Sequence, residues 1–135
     1  MNAGLINTLI GNGFVPIISP VCCDKNCKPL NVNADDVAVA IAKALQAEKL
    51  IFLSDIDGVL KNVENKNSVI STILVKDIAK MIKDKVITGG MIPKILSCGD
   101  AVKSGINAVH IINGATKHAM LLEIYTDNGV GTVIT

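Results

Sequence analysis

Apolar segments of strand length alternate with longer segments of helical periodicity along this chain of 135 residues. Residues 37–45 place apolar side chains on one helical face, and residues 49–54 form an apolar run typical of a buried strand. The same order returns in residues 91–104 and 109–112. No long linker or internal repeat interrupts the alternation. The pattern predicts an α/β fold, a three-layer α/β/α sandwich around a largely parallel sheet.

Local patterns predict the remaining elements. They are a helix over residues 5–10, a strand over 14–19, a hairpin over 21–32, a short strand over 69–73, a helix over 78–86, a helix over 118–125, a glycine-rich loop over 126–132 and a closing strand at 133–134. Pro16 lies inside the strand predicted over residues 14–19, and it limits the pairing of that strand on one side.

Two amides and a carboxylate occupy alternate positions where an extended segment enters a helix. Asn33 is a good N-cap, and Asp35 then lies in the first helical turn. Asn31 and Asn33 point to the same side because side chains alternate along an extended chain. The pattern has two interpretations, a well-capped helix or a cradle in which two amides bind a carboxylate-bearing ligand and Asp35 orders nearby cations.

A glycine pair precedes the helix that carries Lys94 in its first turns. Gly89 and Gly90 allow a ligand to approach the backbone, and a helix start offers free amides and a positive dipole end to an anion. The charge of Lys94 suits the stabilisation of a transferring phosphoryl group. The alternative is an ordinary turn before a helix with a surface lysine.

The loop after the strand at 49–54 is a second candidate for ligand binding. It contains Asp55 and Asp57, followed by Gly58. In open α/β sheets, ligands bind at the carboxyl ends of strands, where this loop is expected. A plain turn built on the Asp-Gly pair is the alternative.

Composition excludes several classes of function. The net charge is +1 and aromatic residues make up 2% of the chain, so there is neither a basic patch nor a set of stacking platforms for nucleic acid. No apolar run approaches a membrane span, and no signal peptide is visible, so we expect a cytoplasmic protein that does not bind membranes. Four cysteines are then free thiols, and without a paired C-x-x-C motif or a nearby histidine we expect no metal site.

Three stretches together resemble the acetylglutamate kinase family of the amino acid kinase superfamily. They are Leu-Asn-Val-Asn-Ala-Asp at 30–35, Leu-Ser-Asp-Ile-Asp-Gly-Val at 53–59 and Thr-Gly-Gly-Met-Ile-Pro-Lys at 88–94, and the tail from residue 118 to 132 also fits. The resemblance runs in order over essentially the whole chain and covers the C-terminal, ATP-binding half of the family. It implies phosphorylation of the side-chain carboxylate of N-acetyl-L-glutamate by ATP, with Mg²⁺ bound through the nucleotide, in arginine biosynthesis.

The resemblance also implies roles for individual residues. Asn31 and Asn33 would hold the acetylated amino acid, Asp35 would organise the catalytic lysines, and Lys94 would stabilise the transferring phosphoryl group. The nucleotide pocket would be formed by Asp55, Ile56, Asp57, Gly58, Val59, Leu60, Val86, Ile87, Thr88, Gly89, Gly90 and Met91. Feedback arginine would contact His118, Glu123, Gly129 and Gly131.

The chain departs from the family in one important respect. The N-terminal substrate lobe, with a further lysine, phosphate loops and a substrate-binding arginine, is missing, and all 13 basic residues here are lysines. We therefore expect residues 1–135 to be the nucleotide-binding lobe, with trace activity alone, a missing half as partner and possible homo-oligomers. Two alternatives stay open, a kinase of the superfamily that acts on another acid, and a non-catalytic module that binds nucleotide or arginine.

Overall fold

The computed structural model describes residues 3–62, 64–65, 68–126 and 129–135. The helices in these ranges are α1 (Gly4–Gly11), α2 (Ala34–Leu45), α3 (Ile78–Lys83), α4 (Met91–Lys103) and α5 (Ala119–Tyr125), and a 3-10 turn (Val75–Asp77) precedes α3. The strands are β1 (Cys22–Cys23), β2 (Pro29–Leu30), β3 (Lys49–Ser54), β4 (Thr72–Ile73), β5 (Ala108–Asn113) and β6 (Thr132–Ile134). No helix in these ranges is long and apolar enough to cross a membrane.

Four strands form the central sheet in the order β3-β5-β6-β4. β3 and β5 are parallel over their whole length, from Lys49 opposite Ala108 to Ser54 opposite Asn113. β4 and β6 are also parallel, whereas β5 and β6 are antiparallel. The prediction of a largely parallel sheet is confirmed. Because β6 runs against β5, the start of β6 lies at the sheet edge where β3 and β5 end.

Helices cover both faces of this sheet. On one face α4 packs on β5 and β6, and α2 packs on α4 and β3. The fully buried Ile95, Cys98 and Ala101 of α4 meet Val109 and Ile111 of β5 in the hydrophobic core. His110 lies between these two strand residues and contacts Glu123 of α5, which places α5 on the opposite face. The predicted three-layer α/β/α arrangement is therefore confirmed.

Local signals account for the two helices nearest the candidate site. Asn33 caps α2, since its side-chain oxygen accepts a hydrogen bond from the Asp35 amide, and Gln46 closes α2 in the left-handed conformation. In α4, Pro93 occupies the first turn, where a missing amide costs little.

The segment 14–19 does not form the predicted strand. No secondary structure is assigned there, and Val15 and Ile17 are 87% and 97% exposed. No strand in the described part of the chain lies beside this segment, and Pro16 and Pro20 lack the amide that a ladder needs. The predicted hairpin is confirmed as the antiparallel pair of β1 and β2.

Candidate active site

The first turns of α2 and α4 meet beside β3. The Lys94 ammonium lies 3.0 Å from a carboxylate oxygen of Asp35, with the two side chains 23% and 31% exposed. The ammonium also lies 5.3 Å from the centroid of the Phe52 ring on β3. Lys94 is thus held on two sides, and its charge is partly shielded from water while it remains reachable.

The two asparagines lie at the entry to α2. The Asn33 side-chain oxygen accepts from the Asp35 amide at 2.9 Å, so the capping interpretation is correct. The cap uses the oxygen of Asn33 and leaves its amide nitrogen as a donor. Asn31 and Asn33 are both exposed. The cap therefore does not exclude a cradle, because capping and ligand binding use different atoms of the same side chain.

An apolar cavity of about 180 Å³ lies next to the start of α4. All its lining residues belong to the set assigned to the nucleotide pocket, namely Ile56, Gly58, Val59, Leu60, Val86, Ile87, Thr88 and Met91. Complete small-molecule sites commonly enclose about 300–1,000 Å³. The cavity is therefore large enough for only part of a nucleotide. Asp55, Asp57, Gly89 and Gly90 do not line it.

The loop after β3 is tied to the ends of two other strands. The Asn113 amide donates to the Asp57 carboxylate at 2.7 Å, and the Val59 amide donates to the buried Thr132 hydroxyl at 2.8 Å. Thr132 was not among the predicted site residues. It is 73 residues from Val59 in the chain, so no local pattern marks it.

The start of α4 offers fewer free amides than expected. Met91 donates to the Thr88 carbonyl and Ile92 to the Gly89 carbonyl, both at 3.2 Å, and Pro93 has no amide hydrogen. The expectation of free amides is therefore wrong for these positions, and Lys94 is the main positive group at the helix start. The backbone at Gly89 and Gly90 is open, since an added Cβ at either would meet nothing within 4 Å.

A second cavity, of about 210 Å³, lies on the other face of the sheet and is lined in part by His110, Glu123, Gly129 and Gly131. A Glu123 oxygen lies 2.7 Å from Nδ1 of His110, and the side chains are 6% and 10% exposed. The other Glu123 oxygen accepts from the Val130 amide at 2.7 Å. In the described residues, Nε2 of His110 is buried without a hydrogen-bond partner. The Glu123 side chain is thus almost completely buried.

His118 is not part of this second cavity. It is exposed, adopts the left-handed conformation at the start of α5 and lines a separate cavity of about 270 Å³ with Leu53 and Gly114. The histidine that partners Glu123 is His110, which the sequence analysis missed. An ionisable side chain inside the apolar run of β5 was the signal that could have identified it. Asp127 and Asn128 of the glycine-rich loop lie outside the described residues.

Two buried groups have shifted pKa values. Burial raises the pKa of the Cys98 thiol to about 12, although the nearby Lys94 charge opposes the shift. Burial also disfavours the charged form of Glu123, but hydrogen bonds from Val130, His110 and Gly131 outweigh it and lower the pKa of Glu123 below its usual value of 4.5. Glu123 is therefore a buried carboxylate held in its charged form.

The family assignment follows from a comparison of the sequence with family models. The model described as the amino acid kinase family matches residues 1–113. The chain belongs to the amino acid kinase family.

The curated relatives of the chain include acetylglutamate kinases. It is 47% identical over 134 residues to acetylglutamate kinase from Methanosarcina mazei and 48% identical over 134 residues to that from Caldanaerobacter subterraneus subsp. tengcongensis. Each alignment covers 99% of this chain and 46% or 45% of the relative, so the chain spans about half the length of these proteins. The fold is similar to a crystal structure of N-acetylglutamate synthase from Neisseria gonorrhoeae, with a TM-score of 0.89 at 25% identity over 98% of this chain and 30% of that one.

Proposed function

We propose that the chain is the ATP-binding part of an acetylglutamate kinase, which transfers the γ-phosphoryl group of ATP to the side-chain carboxylate of N-acetyl-L-glutamate. The observation that carries the proposal is the contact of 3.0 Å between Lys94 and Asp35, since Lys94 lies on α4 and the first residue of α4, Met91, lines the apolar cavity. The two acetylglutamate kinases described above, which are 47% and 48% identical to the chain, support the choice of substrate.

The apolar cavity accounts for the base of the nucleotide. Its lining is mostly aliphatic, and Thr88 supplies a polar side chain at one side. Met91 lines the cavity and lies one helical turn before Lys94, so a nucleotide that places its base against Met91 can reach Lys94 with its phosphates.

Phosphoryl transfer then depends on position and charge. An oxygen of the acceptor carboxylate forms a bond to the γ-phosphorus as the bond to the bridging oxygen of ADP breaks, which yields an acyl phosphate and ADP. The Lys94 ammonium neutralises charge on the phosphoryl oxygens, and Asp35 holds the ammonium in place through the 3.0 Å contact. No nucleophilic side chain of the protein is needed.

Mg²⁺ is expected to arrive with the phosphates. Among the described residues, no group of three or more His, Cys, Asp or Glu side chains is arranged to hold a metal ion, and the Asp35 carboxylate already contacts Lys94. These residues fit an ion that the nucleotide itself carries. When bound with the nucleotide, Mg²⁺ would offset the negative charge of the phosphates.

Asn31 and Asn33 are proposed to hold the acetylated amino acid through their amide donors. Both are exposed and lie next to Asp35 in the chain. The remaining half of the site, including the groups that bind the substrate carboxylates, is assigned to a further unit equivalent to the rest of the relatives. We expect trace activity without it. Self-association through apolar side chains such as Phe14 and Ile17, 63% and 97% exposed, is also part of the proposal.

Arginine is proposed to act as a feedback ligand at the second cavity. The charged Glu123 and the open space beside Gly129 and Gly131 suit a guanidinium group. His118 is left out of this proposal, since it lines a different cavity. A non-catalytic nucleotide- or arginine-binding module, and a kinase for another acid, are less favoured because the named relatives are acetylglutamate kinases.

Calorimetric titration with MgADP and MgATP tests the nucleotide part of the proposal. Lys94→Ala should weaken MgATP binding about tenfold or more, and MgADP binding less, because Lys94 is placed against the transferring phosphate. The matched control is Lys103→Ala in the last turn of the same helix, where the lysine is 66% exposed and lies 3.8 Å from Asp100. This variant should bind both nucleotides like the unaltered chain.

Equal loss in the two lysine variants would show that general charge, and not the position of Lys94, governs binding. If the unaltered chain gives no heat with either nucleotide, the cavity is not a nucleotide site in this chain and the proposal fails at that step.

A further inference from the structure

Thr132 is hydrogen-bonded to the backbone of Val59, which forms part of the wall of the apolar cavity. Its side chain is fully buried, and its hydroxyl accepts the Val59 amide hydrogen at 2.8 Å. Val59 and Gly58 line the cavity, whereas Thr132 does not. The hydroxyl therefore fixes the backbone of two lining residues without touching the space where a ligand would lie.

The backbone at Gly58 lies close to the same Thr132 hydroxyl. Gly58 has a φ of +135°, and a Cβ added there would lie 2.7 Å from the Thr132 hydroxyl oxygen. The loop thus passes directly over Thr132 in a conformation that other residues rarely adopt. The close approach of the loop and the hydrogen bond to Val59 together define one arrangement of this wall.

The residues before Thr132 are fixed from the other face of the sheet. The Val130 amide donates to Glu123 at 2.7 Å, and Glu123 also contacts His110. Gly131 packs so closely on β5 that an added Cβ would collide with the Ile111 carbonyl oxygen. Residues 130–132 therefore connect the Glu123 carboxylate to the Val59 amide with little freedom to shift.

We propose that Thr132 is a positioning residue for the nucleotide cavity. Through residues 130–132, the charge of the Glu123 carboxylate then affects the arrangement of the cavity wall. The proposal rests on the proposed function, because it assumes that the cavity binds nucleotide.

The first experiment compares Thr132→Val with Thr132→Ser in the 135-residue chain. Valine keeps the shape and removes the acceptor of the Val59 amide, whereas serine keeps the hydroxyl. We expect Thr132→Val to weaken MgADP binding about tenfold, since the competent arrangement of the loop becomes a minor state. Thr132→Ser should bind within about threefold of the unaltered chain.

Hydrogen exchange of the Val59 amide provides a readout that needs no nucleotide. The amide should exchange faster in Thr132→Val and return towards normal in Thr132→Ser, at a temperature where both variants are folded. Unchanged exchange in Thr132→Val would overturn the positioning role even if no nucleotide bound at all. Absence of MgADP binding in the unaltered chain would instead overturn the proposed function, so the two failures are distinguishable.

A double-mutant cycle tests the coupling. Glu123→Gln keeps the size of the side chain and removes its charge, which weakens the hydrogen bond from Val130. If Glu123 acts on MgADP binding through Thr132, Glu123→Gln should weaken MgADP binding in the unaltered chain and have little effect in the Thr132→Val background. Equal effects of Glu123→Gln in both backgrounds, or no effect in either, would overturn the coupling.

Discussion

Replacement of Gly58 by alanine should damage both stability and the cavity. The new Cβ would lie 2.7 Å from the Thr132 hydroxyl oxygen, 3.0 Å from Val69 Cγ1 and 3.2 Å from the Thr132 amide nitrogen. The φ of +135° is also unfavourable for alanine. Either the loop or Thr132 has to move, and either movement breaks the bond between the Thr132 hydroxyl and the Val59 amide.

The expected size follows from these two costs. Backbone strain at such a position costs about 1–3 kcal/mol, and an unsatisfied buried amide about 1–3 kcal/mol more. A loss of at least about 2 kcal/mol corresponds to a fall in melting temperature of roughly 6 °C or more for a chain of this length. Urea unfolding and thermal unfolding followed by circular dichroism measure both quantities.

The matched control is Gly11→Ala. Gly11 is the last residue of α1, and an added Cβ there meets nothing within 4 Å. This variant should be as stable as the unaltered chain or slightly more stable, because alanine favours helix more than glycine does. Gly58→Ala with the stability of Gly11→Ala would refute the close packing of the loop on Thr132.

Three further predictions concern the cap, the buried carboxylate and the thiols. Asn33→Ala should lower the free energy of unfolding by about 1 kcal/mol, whereas Asn33→Ser should be about as stable as the unaltered chain because serine also caps. Equal stability of Asn33→Ala and the unaltered chain in urea unfolding would contradict the cap. Folding lowers the pKa of Glu123 below 4.5, so the carboxylate contributes its full stabilisation above pH 4.5 and loses it as the pH falls through the lowered pKa. The difference in free energy of unfolding between the unaltered chain and Glu123→Gln, measured in urea, should therefore shrink as the pH falls. A difference that stays constant with pH would contradict the lowered pKa. Iodoacetamide should leave Cys98 of the native chain unmodified, because the thiol is buried and its pKa is raised to about 12. The reagent should modify Cys22, Cys23 and Cys27, and peptide mass spectrometry distinguishes the four sites. Prompt labelling of Cys98 would refute its burial.

Elements with strong local signals were predictable from the sequence. The cap at Asn33 needs only the atoms of residues 33–35, and the strand Lys49–Ser54 has the predicted bounds because its apolar run is flanked by polar residues. The lining of the apolar cavity falls entirely within the predicted set, because the loop after β3 and the turn before α4 lie next to one another.

Features that depend on distant partners were not predictable. An apolar run such as residues 14–19 forms a strand only beside another strand, and none lies there in the described chain. Thr132 acts on Val59 across 73 residues, which no periodicity reveals. The resemblance assigned His118 to the same site as Glu123, but the histidine that contacts Glu123 is His110, brought there by the packing of α5 on β5.

The reversed direction of β6 has a consequence for the order in which the chain folds. The cavity wall at Val59 needs Thr132, which lies 73 residues further along the chain and reaches the wall through a strand that pairs with β5. Helices α2 and α4 and the parallel pair β3–β5 can form while the tail is still inside the ribosome. The cavity cannot. A growing chain therefore cannot complete the wall of this cavity before residue 132 is available, because the wall requires the loop closure between residues 59 and 132.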